Sequence, residues 1–217
     1  MDKGMENKHV LIVGKHSYIG KRLAKELEKE NVKVELIGAK NREWEQAKLA
    51  GYDSIVIAAA IVHKKEKEEE QELYKRVNLD MPIAIAKKAK AVGVKQVIFL
   101  SSMAVFGNQY KKISFDTKPN PETFYGTYKY QAELELRKLE EDNFSVAVVR
   151  PPMVYGENCP GNYGRLKKLA KYAIFFPDTK NKRSMIEAGR LAEYLSEIVF
   201  SGKGGIYHPQ DAEYVNT

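Results

Sequence analysis

A phenol and an ammonium stand four positions apart in Tyr125-Gly126-Thr127-Tyr128-Lys129. On a helix, positions i and i+4 share a face, so Lys129 can sit close enough to Tyr125 to favour the ionised phenol. A phenol with a free pKa near ~10 becomes a usable base close to neutrality only with such help. About two dozen residues upstream, the pair Ser101-Ser102 closes an apolar run. Together these groups read as a proton-transfer apparatus for a hydroxyl or a carbonyl. The same spacing also suits a half-buried tyrosine whose lysine neighbour reaches solvent, so the flanking elements must decide between the two.

Those elements alternate short β-branched runs with longer amphipathic segments, which predicts an α/β protein built on a Rossmann-type, doubly wound parallel sheet. Strands are expected over 9–13, 32–37, 54–60, 94–101, 145–150 and 206–207. A first helix over 21–30 would carry Leu23, Ala24 and Leu27 on one face. Only a short stretch around Trp44 separates strands two and three. A crossover helix should run from about 68 to 91, with Pro82 as a local break and Gly93 as its stop. The Tyr125 helix is expected to reach Asn143. Beyond Arg150, helices are expected over 163–172 and 187–200, with a loop through Pro177 between them. Tyr125, Lys129 and the serine pair then fall at the carboxyl end of strand four and on the helix before strand five, where open α/β sheets place their sites.

The turn Gly14-Lys15-His16-Ser17-Tyr18-Ile19-Gly20 follows a strand and opens a helix, the context of a dinucleotide-binding turn. Gly14 permits the tight turn, and Gly20 permits close helix packing beneath a pyrophosphate at the helix N-terminus. Ser17 stands in place of the middle glycine. Glu35 on strand two is the candidate for the adenosine ribose hydroxyls, and its carboxylate would favour NAD over NADP, although Lys40 and Arg42 just beyond could instead receive a phosphate. Ala58, Ala59 and Ala60 supply small side chains where a ring or pyrophosphate could approach the backbone; core packing explains them as well.

The bulk properties fit a single globular unit of 217 residues, 43% hydrophobic and 30% charged, carrying a net charge of +7. That charge favours anionic partners. The cations are interleaved with glutamates, as in Lys64-Lys65-Glu66-Lys67-Glu68, which reads most simply as a solvated helix start, so no nucleic-acid partner is expected; a phosphorylated small molecule fits the charge as well. No apolar run is long enough to span a bilayer, and the first eight residues lack the apolar core of a signal peptide, so a cytoplasmic location is expected. Cys159 is the sole cysteine, which rules out an internal disulfide. His63 and His208 show no metal-ligand spacing.

These pieces, in this order, resemble the extended short-chain dehydrogenase/reductase family, in its NAD-dependent epimerase/dehydratase branch. The resemblance rests on the Gly14–Gly20 turn, Val77-Asn78, Phe99-Leu100-Ser101-Ser102-Met103-Ala104-Val105-Phe106-Gly107, Tyr125 to Lys129, and Arg150-Pro151-Pro152-Met153-Val154-Tyr155-Gly156. It implies that Ser102 bonds the O4 of a sugar, that Tyr125 exchanges its proton, and that Lys129 holds both a nicotinamide ribose and the phenolate. It adds Ser17, Tyr18, Ile19, Asn78, Ser101 and Pro152 to the cofactor-binding set, and Met153, Asn162 and Arg183 to the substrate set. Arg183 corresponds to a diphosphate-binding arginine, a task suited to a bidentate guanidinium.

Within the family, Gly161-Asn162 and Asn181-Lys182-Arg183-Ser184-Met185 look most similar to enzymes of bacterial surface-polysaccharide synthesis. The implied division is one extended unit over 1–217, with an NAD-binding core at 8–150 and a substrate lobe mainly at 151–217, whose late strand near 205–208 could return to the core. Two departures stand out. An aspartate-bearing triplet usual after the diphosphate arginine is replaced by Ala188-Gly189-Arg190, and members generally continue past the point matching Thr217, so the small C-terminal lobe is expected to be incomplete.

The resulting expectation is an NAD-dependent nucleotide-sugar 4-epimerase acting on a UDP-hexose or UDP-N-acetylhexosamine through a transient 4-keto sugar. A 4-keto-sugar reductase using NADPH or NADH would employ the same residues. A non-catalytic nucleotide-binding protein with a shortened lobe is the third reading. The long helices 68–91 and 125–143 could supply a homodimer interface of the kind common in similar proteins.

Overall fold

The computed structural model describes residues 8–39, 42–62, 66–160 and 182–216. Six strands build its main sheet: β1 (His9–Val13), β2 (Lys33–Ile37), β3 (Ser54–Ile57), β4 (Gln96–Leu100), β5 (Ser145–Val149) and β9 (Gly205–Tyr207), in the order β2-β1-β3-β4-β5-β9. Every pairing in it is parallel. Such a sheet is covered on both faces, so its central strands are apolar without alternation; Val10 to Val13 and Ile55 to Ile57 are fully buried. The strand period sends Leu11 and Val13 to one layer with Ile85, Ala89 and Leu136, and Val10 and Ile12 to the other with Leu23, Leu27, Leu191 and Leu195.

Helix α1 (Tyr18–Lys29) is capped by Ser17, whose hydroxyl accepts from the Gly20 amide at 3.1 Å, and it buries Ile19, Leu23, Ala24 and Leu27. The β2-to-β3 connection holds only the four-residue α2 (Glu43–Gln46), so β2 remains the sheet edge. The crossover to β4 is more broken than the single helix expected. After a 3₁₀ turn at Glu68–Glu70 come α3 (Gln71–Lys75), a π-turn at Arg76–Asp80, and α4 (Met81–Ala91). Pro82 lies in the first turn of α4, where a missing N–H costs nothing, and the wide turn lies just before it.

Helix α5 (Phe124–Arg137) ends six residues before the expected Asn143, because Glu141 and Phe144 exchange two backbone hydrogen bonds at 3.0 Å around an Asp-Asn turn. Strand β3 likewise stops at Ile57, leaving Ala58 to Ala60 as loop. Helix α6 (Ala188–Ser201) packs with α1 on one face of the sheet. Beyond β5, β6 (Met153–Tyr155) pairs with β8 (Met185–Glu187), and β7 (Lys182–Arg183) pairs with β10 (Val215–Asn216). The helix expected over 163–172, the loop through Pro177, and Lys40, His63 and Asn162 lie outside the described residues. Among the described residues, no helix is long and apolar enough to cross a membrane.

Candidate active site

Between β1 and β3 the strand order reverses, and a crevice opens at the carboxyl ends of the two strands, as the topology requires. The crevice belongs to a cleft of about 2120 Å³. That exceeds the ~300–1,000 Å³ of a pocket for one small ligand, leaving room for a dinucleotide and a second molecule. The residues expected at the site that line it are Gly14, Ser17, Tyr18 and Ile19 from the first turn, Ala58, Ala59 and Ala60 after β3, Ser101, Ser102 and Tyr125, and Pro152, Met153 and Arg183 on the far wall.

The floor of the crevice has the shape a pyrophosphate needs. Gly14 takes φ +136°, and a Cβ there would lie 3.0 Å from the Ala59 amide nitrogen, so only glycine lets the two loops approach. A Cβ on Gly20 would meet Ile12 at 3.2 Å, which places its role in helix packing beneath the turn rather than in the cleft. The N-terminal amides of α1 open at this floor. Tyr18 donates to the Glu157 carbonyl at 2.6 Å, and Arg22 lies 3.8 Å over its ring, so the first turn is tied to the segment after β6. On the opposite side the Tyr74 phenol lines the cleft, is buried, and has no hydrogen-bond partner among the described residues. The Gly14 floor, which a Cβ would fill, and the helix amides that open there fit the pyrophosphate of a nicotinamide dinucleotide.

Two expected cofactor contacts lie elsewhere. Glu35 is not brought to the cleft: it pairs with Leu11 in mid-strand, is exposed, and accepts from the Tyr52 hydroxyl at 2.6 Å. The acid that lines the cleft near the carboxyl end of β2 is Glu45 on α2, bridged to Arg42 at 2.5 Å. Sequence reasoning missed it because the short α2 stands where a strand would ordinarily carry the chain away. Asn78 is fully buried on the π-turn, and its amide both accepts from Ile61 N–H and donates to Ile61 C=O, each at 3.2 Å. It holds the loop after β3 in place, behind the cleft wall rather than on it.

At the far end, Ser102 caps the 3₁₀ turn Met103–Phe106 by accepting from Ala104 N–H at 3.1 Å, and its hydroxyl is close enough to the Tyr125 phenol to favour the ionised form. Helix α5 presents Tyr125 to this point from a doubly fixed N-terminus. Thr123 accepts from Gly126 N–H at 3.0 Å, and the Glu66 carboxylate accepts from Phe124 and Tyr125 N–H at 2.8 and 2.9 Å. Lys129 is completely buried, donates to the Leu100 carbonyl at 2.8 Å, and has its ammonium 6.0 Å from the Tyr125 ring centre. It thus lies behind the tyrosine, in reach of its field, but does not line the cleft among the described residues.

Burial sets the resting protonation of this pair. It pushes the Tyr125 phenol up to about 12, against the Ser102 hydroxyl, and pulls Lys129 down to about 7, against the attraction of Glu133. Both groups therefore disfavour charge until more charge enters the cleft.

These elements are matched by known proteins. The model of the NAD dependent epimerase/dehydratase family covers residues 10–174. The chain belongs to this family. Two curated relatives are a UDP-glucose 4-epimerase of Vibrio cholerae, 33% identical over 170 residues, and an N-acetyl-alpha-D-glucosaminyl-diphospho-ditrans,octacis-undecaprenol 4-epimerase of Escherichia coli O157:H7, 29% identical over 209 residues. The alignments cover 74% and 87% of this chain, and the chain spans 50% and 62% of those relatives' lengths. Among solved structures, a UDP-glucuronic acid 4-epimerase from Bacillus cereus in complex with NAD superposes with a TM-score of 0.79 at 17% identity, over 95% of this chain and 78% of that one; this likeness shows the fold.

This family member departs from the expected pattern after Arg183, where Ala188-Gly189-Arg190 stands in place of the triplet and two carboxylates lie close by. Glu187 caps α6, accepting from Gly189 and Arg190 N–H at 2.5 and 3.0 Å. Arg190 faces Asp211 at 3.4 Å, and Asp211 also accepts from Tyr155 at 2.8 Å. The carboxylates come from one residue before the helix and from the segment after β9. Arg183 itself is exposed on β7 and lines the cleft.

Proposed function

We propose that this chain is an NAD-dependent 4-epimerase of a diphosphate-linked hexose or N-acetylhexosamine, the UDP-sugar form being the first to test. One observation carries the reading: Ser102 and Tyr125 line the same cleft at the end of β4, close enough for the serine hydroxyl to favour the ionised phenol, together with the Gly14 floor and the Arg183 wall. The two 4-epimerase relatives support it.

When bound, NAD supplies a reversible hydride acceptor for C4 of the sugar. The chain's residues do the rest. Ser102 orients the O4 hydroxyl, and Tyr125 Oη takes its proton as a 4-keto sugar forms, then returns it after the sugar has presented its other face. Lys129 holds positive charge behind the phenol. Any further positive charge brought into this dry cleft favours the phenolate, which is why the resting value near 12 is compatible with a base. Arg183 receives the diphosphate with a fork-shaped set of donors. Gly14, Ser17 and the α1 amides receive the cofactor pyrophosphate, with Glu45 beside its ribose in the role expected of Glu35.

The test is to identify any nicotinamide cofactor that co-purifies, then to offer UDP-glucose and UDP-N-acetylglucosamine. Products are followed together with the reduced-nicotinamide absorbance. Interconversion of sugars without lasting absorbance change supports the epimerase. Net consumption of reduced cofactor with a 4-keto sugar replaces that reading with the reductase, and silence in both assays with a non-catalytic one. A homodimer through α4 and α5 belongs to the same proposal; Leu134 on α5 and Val92 just after α4 are 43% and 41% exposed, and sedimentation velocity decides it.

A further inference from the structure

Behind the cleft lies a charged cluster that the proposed chemistry does not yet use. Helix α5 sets Tyr125, Lys129 and Glu133 at successive i+4 positions, so all three share one inward face. Glu133 is 1% exposed, and its carboxylate is saturated. It accepts from Arg150 Nη2 at 2.5 Å, from Arg150 Nε at 3.1 Å on both oxygens, and from the Ser101 hydroxyl. Arg150, 6% exposed, reaches His208 with Nη1 at 3.4 Å and has its guanidinium 5.1 Å from the Phe106 ring centre.

A buried ion pair of this kind is weak evidence for stability, since apolar residues of equal volume commonly serve as well or better. Its place suggests another use. Among the described residues, the immediate partners of the Lys129 ammonium are the Leu100 carbonyl and the Phe99 ring, 4.3 Å away, and Glu133 is the carboxylate that attracts it.

We infer that Glu133, locked between Arg150 and Ser101, is a positioning residue whose fixed negative charge keeps the Lys129 ammonium charged behind Tyr125. This rests on the Tyr125–Lys129 chemistry proposed above. The charged groups that face Lys129 are Tyr125 and Glu133 on its own helix and Arg150 at the end of β5. His208, after β9, stacks on Phe115 and reaches Arg150, and both burial and that arginine keep it below the ordinary histidine range, hence neutral at neutral pH. Glu66 meets the helix at its N-terminal amides. With Lys129 protonated, the cluster of Lys129, Arg150 and Glu133 carries one net positive charge, which the Tyr125 phenolate neutralises. Removing the carboxylate lets Lys129 lose its proton at lower pH, and the phenolate loses its partner. Ser101, assigned to cofactor binding by resemblance, here serves to lock Glu133.

The experiment titrates Lys129 by nitrogen NMR in the full-length, ligand-free chain, with Lys129→Met to assign the signal, and records kcat and KM against pH with UDP-glucose and NAD. Glu133→Gln should lower the Lys129 midpoint by about one unit or more, shift the alkaline limb of kcat downward by the same amount, and leave KM within about threefold. Glu133→Asp should restore most of the profile. If Glu133→Gln does not fold, Glu133→Gln with Arg150→Met removes both charges at similar volume and should still show a lowered midpoint, because Arg150 lies beyond Glu133 from the lysine. A folded double variant with the parent midpoint overturns the inference. The Lys129 titration alone decides this role and turnover alone decides the activity, so failure of one is distinguishable from failure of the other.

Discussion

Adding one methyl group at Gly126 should separate catalysis from folding. A Cβ at this position would lie 2.6 Å from the Ala104 carbonyl oxygen, whereas ordinary contact begins at 3.4 Å. The helix and the 3₁₀ turn must therefore part by about 0.8 Å. Neither side can yield alone: Gly126 N–H is held by Thr123, and Ala104 N–H is held by Ser102. Whichever moves, the Tyr125 phenol and the Ser102 hydroxyl separate, because one precedes Gly126 on α5 and the other caps the turn. The stability change combines a helix-propensity gain of up to ~1 kcal/mol with an overpacking cost of ~1–3 kcal/mol, so Gly126→Ala should lose at most about 3 kcal/mol and stay folded. A misplacement near 1 Å in a reacting pair costs roughly 10²-fold in rate. The assay is kcat for UDP-sugar interconversion beside a urea unfolding curve. A folded variant with kcat within about threefold of the parent would refute the reasoning that this contact sets the Ser102–Tyr125 geometry.

Other outcomes follow from the same geometry. Tyr125→Phe should abolish turnover, by about 10³-fold or more, yet leave the affinity for NADH, read by fluorescence titration, within about threefold. Lys129 carries a pH signature. Its folded value, about 7, lies below its unfolded value of 10.5, so between these the unfolded chain binds more protons and stability rises with pH. The penalty is fully present below pH 7. Lys129→Met should remove a rise on the order of a few kcal/mol between pH 7 and 10, seen in urea midpoints. Asn78→Ala strands both backbone groups of Ile61, and should cost about 2–3 kcal/mol and weaken NADH binding about tenfold through the loosened wall after β3. Arg183→Ala should raise KM for a UDP-sugar by about 10- to 100-fold with kcat little changed; a fall in kcat alone would remove it from diphosphate binding.

Legibility in the chain followed the range of the interactions. Strand and helix identities were readable because they rest on local periodicity: the buried β1, the Leu23-Ala24-Leu27 face of α1, and the Gly14 turn stand where their patterns put them. Boundaries read less well, since α5 stops at a backbone-paired turn whose signal, Asp142-Asn143, is short. Glu35 was misplaced for a topological reason. A carboxylate on strand two is a fair candidate only if it reaches the strand's end, and here it pairs with Leu11 while Glu45 on the unforeseen α2 reaches the cleft.

By itself, the order of residues determined the chemistry on offer: a glycine turn after the first strand, paired serines after the fourth, and a tyrosine and lysine one helical turn apart. Spacing along a helix or at the end of a strand fixes such relations within a few residues, whatever the rest of the chain does. Only the tertiary structure decided how that chemistry is poised. Glu66 meets the α5 amides from 58 and 59 residues away, and Arg150 reaches Glu133 from across the sheet layer. Burial, which no local pattern reports, drives the phenol up and the lysine down. Contacts and desolvation of this kind arise only when distant segments pack together, and they set the charge that two ordinary side chains carry at rest.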